Sequence, residues 1–347
     1  MQFPPCQMLF VYLWYGNCSS GFRQQFPIYR DSTTHKNNYN RATRAPRTSY
    51  PVGESRLMVF LLGRQMSHLT EVLDLSELAW LVKSRCGIDL SRYRATTLNR
   101  RVLHRMAMTG SQGIEEYISR LTVDPDEMEK LMDIVTIHVT EFYRDRDVFK
   151  SLERGYVPAL IDEKTDAGHG IFRAWSAGCS TGEEAYSMAM MIDRAVRNVS
   201  PNTHIEVFGT DISKDSCRTA RKGVYSDEKI EALPEDIRDG YFEKEGPARK
   251  VTPGLRSLVK FMSHDLFNAS PYSHLDLIMC RNVMIHFEHE VRDEVIANFH
   301  YALQDRGLLV LGKSEAMTGP LEDLFELVEP RCKIYRKIVQ EDHSRED

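Results

Sequence analysis

Apolar positions along this chain change rhythm near residue 140. From 75 to 135 they recur at three- and four-residue steps: Leu75, Leu78, Ala79 and Val82; then Leu98, Val102 and Met106; then Ile114, Tyr117, Ile118 and Leu121; then Met128, Leu131, Met132 and Val135. That spacing predicts four short amphipathic helices. Their ends carry matching signals. Asp74 with Glu77 three residues on resembles a capping box, Gly87 and Gly110 stop the first two helices, Ser91 is placed to cap the second, and Asp124-Pro125 opens the fourth. Helices joined so tightly predict a small all-α bundle.

Beyond residue 140, short apolar runs alternate with helical stretches. Strands are predicted over 171–177, 205–210, 275–280 and 307–313, with helices over 183–197, 213–222 and near 288–304. The LLVLG run of the fourth strand is apolar enough for burial on both faces. Segments 325–328 and 332–338 read as a closing antiparallel pair. Between 233 and 262 the βα rhythm is lost, and Val251, Leu255, Leu258, Val259 and Phe261 among Gly246, Pro247, Pro253 and Gly254 predict a small antiparallel insertion. The expected fold is α/β: a Rossmann-like domain over 137–339 with an inserted antiparallel β-subdomain at 233–262, preceded by a small helical domain over 67–136. Residues 1–66, polar and aperiodic over 23–56 with an isolated apolar run at 58–63, are expected to be a disordered or mis-assigned extension, with translation starting at Met58 or Met66. Residues 340–347 read as a flexible tail.

Composition narrows the function classes. A net charge of −5 on 347 residues argues against a nonspecific nucleic-acid binder. Seven scattered cysteines without a CxxC pair read as reduced thiols of a cytoplasmic protein, with neither a disulfide frame nor a metal site. The apolar run at 8–15 is far short of the ~20 residues a membrane span needs, and no basic segment precedes it, so neither membrane insertion nor a signal peptide is expected. The second helix is strongly basic, with Arg92, Arg94, Arg100, Arg101 and Arg105; such a run is either a solvated face or a dock for an acidic partner surface.

Candidate chemistry centres on 171–191, where an apolar strand meets the turn Gly178-Cys179-Ser180-Thr181-Gly182 and then a helix. Strand, glycine turn and helix form the ligand crevice of open α/β sheets. Asp211, ending the second strand, is placed to accept both ribose hydroxyls of an adenosine-type cofactor; its alternative is to cap the helix that follows. Glu183 and Glu184 at the helix start would repel a pyrophosphate but suit a ligand carrying an ammonium group, which favours S-adenosylmethionine over a dinucleotide. Acids in a first helical turn also simply complement the helix dipole.

The segments Thr140-Glu141-Phe142-Tyr143-Arg144-Asp145, Trp175 to Glu184 (WSAGCSTGEE), Gly209-Thr210-Asp211-Ile212 and Cys280-Arg281-Asn282-Val283-Met284-Ile285 resemble the CheR family of chemotaxis receptor methyltransferases, from about residue 75 to 338. The resemblance implies a class I fold dependent on S-adenosylmethionine, with S-adenosylhomocysteine as product and no metal. It implies methylation of glutamate carboxylates on the cytoplasmic domain of a chemoreceptor, in some relatives with a receptor C-terminal peptide gripped by the inserted strands. It implies that His138, Thr140, Arg144, Glu183, Asp211, Asp265, Leu266, Arg281 and Asn282 line the cofactor, with Arg144 and His286 at the catalytic end. His138 stands where the family has Asn, and His286 where it has Tyr. The basic helix and inserted strands would face the receptor. Two other readings stay in view: a non-enzymatic module that keeps the cofactor pocket, and a nucleic-acid methyltransferase. The latter typically carries an Asn/Asp-Pro-Pro-Tyr/Phe signature where this chain has Cys280-Arg281-Asn282-Val283.

Overall fold

Four helices open the described part of the chain: α1 (Ser76–Cys86), α2 (Ala95–Thr109), α3 (Ile114–Val123) and α4 (Pro125–Val135). The computed structural model describes residues 73–136, 140–166, 168 and 170–339, so the expectations for 1–66, His138 and 340–347 fall outside the described residues. Gly87 and Gly110 end α1 and α2 in left-handed conformations. Asp124 caps α4, accepting the Glu127 N–H at 3.1 Å with Pro125 in the first turn. Two other caps differ from expectation. Asp74 accepts the Ser76 N–H at 2.9 Å instead of forming a box with Glu77. Ser91 lies in a 3-10 turn (Leu90–Arg92), where Asp89 accepts both its N–H and its hydroxyl, and α2 starts only at Ala95. An aspartate two residues ahead offers the chain a local turn that competes with the helix start.

The basic helix is largely spent on internal contacts. Arg105 pairs with Glu127, which is 3% exposed and also accepts the Tyr117 hydroxyl at 2.8 Å. Arg101 is buried and donates to the Val135 carbonyl. Arg92 reaches Glu294 at 2.9 Å and Arg94 the Phe287 carbonyl at 3.2 Å. Of the five arginines, Arg100 alone is fully on the surface. The other four each hold a partner within the chain.

Next come α5 (Arg146–Ser151), a π-helical turn (Leu152–Tyr156) and α6 (Val157–Asp166). The chain then alternates β1 (Ile171–Ala177), α7 (Glu183–Val199), β2 (His204–Asp211), α8 (Lys214–Lys222), β3 (Val224–Ser226), α9 (Asp227–Glu231), α10 (Glu235–Tyr241), β4 (Phe242–Glu245), β5 (Ala248–Val251), α11 (Pro253–Leu258), β6 (Val259–Ser263), β7 (Leu275–Cys280), α12 (His289–Ala302), β8 (Leu303–Leu311), β9 (Phe325–Glu329) and β10 (Ile334–Lys337). The main sheet runs β6-β2-β1-β7-β8-β10-β9. Its first five strands are parallel, and β10 and β9 close it antiparallel. Strand order reverses between β1 and β7, where an open α/β sheet leaves a crevice at its carboxyl end.

Alternation along β1 divides the interior. Phe172 and Ala174 pack with Met188, Met191 and Ile192 of α7. Trp175 and Ala177 face the other way, into a core that takes in Phe299 of α12 and Leu78, Val102 and Leu131 of the bundle. The helical domain is therefore built onto one face of the sheet.

The inserted sheet has the order β3-β5-β4, all antiparallel. Its extent departs from the expected 233–262 at both ends. Val224–Ser226 supplies one strand, and β6 leaves the insertion to pair in parallel with β2 from Val207↔Val259 to Asp211↔Ser263. Val259 and Phe261 are buried while Lys260 and Met262 are exposed, as befits a one-sided edge strand. A five-residue alternation reads identically in either sheet. Among the described residues no helix is long and apolar enough to cross a membrane.

Candidate functional site

At the carboxyl end of β1 the chain turns on two glycines. The amides of Gly178 and Cys179 both donate to the Thr210 carbonyl at 2.8 Å, tying the turn to β2. Gly178 has φ +80, and a Cβ there would lie 2.5 Å from Val283 Cγ2. Gly182, with φ +98, enters α7 where a Cβ would lie 2.7 Å from that of Ala220. Only glycine combines these backbone angles with this proximity. Asp211 fastens the turn from the next strand. Its Oδ2 accepts the Ser180 N–H at 2.8 Å and its Oδ1 the Ser213 N–H at 2.9 Å.

A cleft opens beside this turn. Of the residues expected at the site, Asp211, Asp265, Leu266, Asn282 and His286 line it. Burial raises the Asp265 carboxyl above its ordinary range, against the opposing effect of the Phe267 N–H that it accepts at 3.0 Å. Asn282 sits at φ +59 with its side-chain oxygen buried and without a hydrogen-bond partner. His264, also in the lining, has Nε2 in the same condition, and burial holds its imidazole below the usual value.

Sequence reasoning missed several contributors. Tyr93, Val135 and Thr136 bring the helical domain into the wall of the cleft. Tyr93 is fixed there by edge-on contacts to Phe267 and Phe287 at 5.6 and 5.4 Å. No periodicity announces this, since each residue reads as ordinary helix-end sequence. Glu315 was also missed. It is 4% exposed and accepts the amides of Gly312, Asn282 and Ile285 at 2.7, 3.0 and 3.1 Å, so it shapes the turn that presents Asn282 and His286. Burial raises its carboxyl while those amides pull the other way. A lone acid just after the apolar strand was the available signal.

Four expected residues stand outside the cleft lining. Phe142 and Tyr143 anchor the 140–146 turn, with Phe142 edge-on to Tyr225 and Phe242 of the inserted strands at 4.9 and 5.3 Å. Thr140 and Arg144 are left partly exposed, and the charge of Arg144 bears on the partly buried Glu184. Arg281 is buried, bonded to Asp145 and to Glu184 at 3.3 Å. Glu183 is fully buried, taking the Lys229 ammonium and the Thr181 hydroxyl, each at 2.6 Å. Both acids of the helix start thus have cationic partners within the chain. Glu183 stands outside the cleft lining, with its carboxylate held by Lys229 and Thr181.

His286 meets the bundle. Its Nδ1 lies 3.4 Å from Arg101 Nη2, and its carbonyl accepts the Arg94 N–H at 2.9 Å. Burial, then the charges of Arg101, Arg94 and Arg100, pushes the imidazole down to about 4. The imidazole is therefore neutral near pH 7. Among the described residues no group of His, Cys, Asp and Glu is arranged to hold a metal ion.

Comparison with known proteins agrees with this architecture. Residues 73–136 match the model of the CheR methyltransferase all-alpha domain, and 138–334 that of the CheR methyltransferase SAM-binding domain. The chain is 31% identical over 242 residues to a chemotaxis protein methyltransferase of Listeria monocytogenes, covering 70% of this chain and 89% of that one. It is 30% identical over 254 residues to chemotaxis protein methyltransferase 1 of Pseudomonas aeruginosa, covering 72% and 91%. It also matches an uncharacterized 104.1 kDa protein of Rhodobacter capsulatus at 30% over 273 residues, 79% of this chain but only 27% of that longer one. With an all-α domain packed on a Rossmann-like sheet, and family matches to both, the chain belongs to the CheR methyltransferases, which depend on S-adenosylmethionine.

Proposed function

We propose that this chain transfers the methyl group of S-adenosylmethionine to glutamate side-chain carboxylates on chemoreceptor cytoplasmic domains, leaving methyl esters and S-adenosylhomocysteine. The observation that carries the reading is one cleft, at the switch point of the sheet, holding two acceptor carboxylates, Asp211 and Asp265, in a chain that aligns with most of a chemotaxis protein methyltransferase. The lining fits a phosphate-free nucleoside. It offers acidic and neutral groups, two buried polar atoms in want of partners on His264 and Asn282, and a Gly178 surface that any Cβ would fill.

In this reading Asp211 holds the ribose hydroxyls and Asp265 accepts from the adenine amino group, with Leu266 against the base. Asn282 fills its unmet acceptor from the ligand. Bound S-adenosylmethionine supplies an electrophilic methyl on a positively charged sulfur. A glutamate acceptor is already ionised at neutral pH, so no general base is required of the chain. What remains for the protein is alignment and exclusion of water. Arg144, with a planar fork of donors, suits a carboxylate beside the cleft, and neutral His286 offers a hydrogen bond without a competing charge.

The test is transfer of labelled methyl to a purified receptor cytoplasmic domain, with base-labile release of methanol as the mark of an ester. Calorimetric binding of S-adenosylhomocysteine without transfer to any receptor would instead favour a non-enzymatic module. Absence of binding at millimolar cofactor would end both.

A further inference from the structure

The helical domain grips the turn after β7 from two directions. Residues 92–94 pair with 286–288 as a short antiparallel bridge: Arg94 N–H donates to the His286 carbonyl at 2.9 Å, and Glu288 N–H donates to the Arg92 carbonyl at 3.0 Å. The second grip is on the side chain. Arg101 is 5% exposed, donates through Nη1 to the last carbonyl of α4, at Val135, and presents Nη2 to His286 Nδ1 at 3.4 Å. A guanidinium can only donate, so Nδ1 must accept and the ring proton must sit on Nε2.

We infer that Arg101 is a positioning residue for methyl transfer: it locks His286 into the neutral Nε2–H tautomer and makes the helical domain a working part of the active site. This rests on the methyl-transfer reading for its catalytic consequence, though not for its structural content. Three features support it. Arg101 is buried, with little surface to offer a partner, so its burial needs an internal purpose. Its second hydrogen bond fixes the guanidinium to α4, whose end residues Val135 and Thr136 line the same cleft. The groups around the imidazole are Arg94, Arg100 and Arg101 from the helical domain, with Asp211, Asp265, His264 and Tyr93 elsewhere in the lining and Glu288 on its own segment. The three arginines oppose protonation, so a neutral donor faces the acceptor carboxylate at working pH.

The experiment is nitrogen-detected NMR of the histidine rings in cofactor-free protein, on wild type, Arg101→Lys, Arg101→Ala and, for assignment, His286→Phe. Wild type is expected to keep His286 as the Nε2–H tautomer from pH 8 to pH 5. Arg101→Ala should mix the tautomers and move the imidazole titration toward neutrality; Arg101→Lys should retain the charge but lose the tautomer preference. In methyl-transfer assays kcat of Arg101→Ala should fall on the order of tenfold, with an acid inflection absent from wild type and KM for the cofactor nearly unchanged. An Arg101→Ala protein with wild-type His286 tautomer and titration would overturn the inference. So would a kcat loss without the inflection, which is what a merely structural arginine produces. If Arg101→Ala does not fold, the tautomer of wild type and of Arg101→Lys decides the matter. If no receptor is methylated, the proposed function fails while the NMR result still judges the Arg101–His286 relation.

Discussion

Asp211 and Ser180 are joined across the gap between β2 and the glycine turn, the carboxylate Oδ2 accepting the Ser180 amide at 2.8 Å. The same carboxylate holds Ser213 at the start of α8 and lines the cleft, so it organises the site even before any ligand arrives. Asp211 thus lines the cleft, while the cap of α8 is Ser213, whose hydroxyl accepts the Ser216 N–H at 3.1 Å.

Removing that carboxylate should cost binding and stability together. Asp211→Ala leaves two backbone donors without their acceptor, and a charge-assisted hydrogen bond is worth about 1.5–3 kcal/mol. Calorimetry should report a 10- to 100-fold loss of S-adenosylmethionine affinity, with Asp211→Asn in between. Unchanged affinity in Asp211→Ala would refute the ribose role.

Glu315 is expected to matter although it lies outside the motifs. Glu315→Ala strands the amides of Gly312, Asn282 and Ile285, with desolvated donors costing about 1–3 kcal/mol apiece in part compensated by water. Chemical denaturation should show a loss of about 2–4 kcal/mol, with Glu315→Gln losing less because one acceptor oxygen remains. A shift below half a kcal/mol would mean water enters and replaces the carboxylate.

Gly178→Ala should weaken cofactor binding by displacing Val283, whose Cγ2 would sit 2.5 Å from the new Cβ. Adding Val283→Ala removes the clash but leaves the φ of +80, a strain of about 1–2 kcal/mol for a residue with a Cβ. Partial rescue of affinity in the double variant is the expected result. Full rescue would show that backbone strain contributes nothing here.

Much of this could be read from the chain, and the failures have physical reasons. The β1-turn-α7 unit was legible because an apolar strand, two glycines and a helical period coincide within about twenty residues. The Asp124 cap was legible because Pro125 removes rival geometries. Val259–Ser263 was not, since pairing of a short edge strand depends on which neighbour offers its open side, and β2 does. Arg101 and Arg105 looked like surface charge because their partners, the Val135 carbonyl and Glu127, lie 34 and 22 residues away. The same distance hid Lys229, 46 residues from Glu183. Partner identity across such separations is a tertiary property that no local window encodes.

Stability should carry a histidine signature on the acid side. His286 titrates at about 4 in the folded chain against about 6.5 unfolded. Its pKa is depressed on folding, so as pH falls the unfolded chain takes the proton first. The stabilisation is complete above about pH 6.5 and is lost between there and pH 4. The full difference corresponds to about 3 kcal/mol, and partial solvent access to the ring reduces this to roughly 1–2 kcal/mol. His264 shifts the same way. Glu184, Glu315 and Asp265 are raised on folding and act oppositely, losing stabilisation as pH rises through their own range. The net curve is therefore less telling than a difference: His286→Phe should flatten the slope of unfolding free energy between pH 6.5 and 4.5 relative to wild type. Parallel curves would contradict the depressed imidazole.

Arg144→Ala should separate binding from transfer. The side chain stands outside the cleft lining, on a turn held by Phe142 and Tyr143, whose burial fixes the backbone whatever residue 144 is. Cofactor affinity is then expected to change less than threefold, because no contact to the nucleoside is removed. Transfer depends on the acceptor carboxylate approaching in line, and losing an electrostatic clamp of this kind typically costs 10²–10³ in kcat. Arg144→Lys keeps the charge without the planar fork and should recover only part of the rate. Single-turnover transfer to a receptor fragment, with calorimetry on the same samples, provides the two numbers. Near-normal turnover in Arg144→Ala would remove Arg144 from the reaction, and a proportional loss in both measurements would move it from the acceptor to the cofactor.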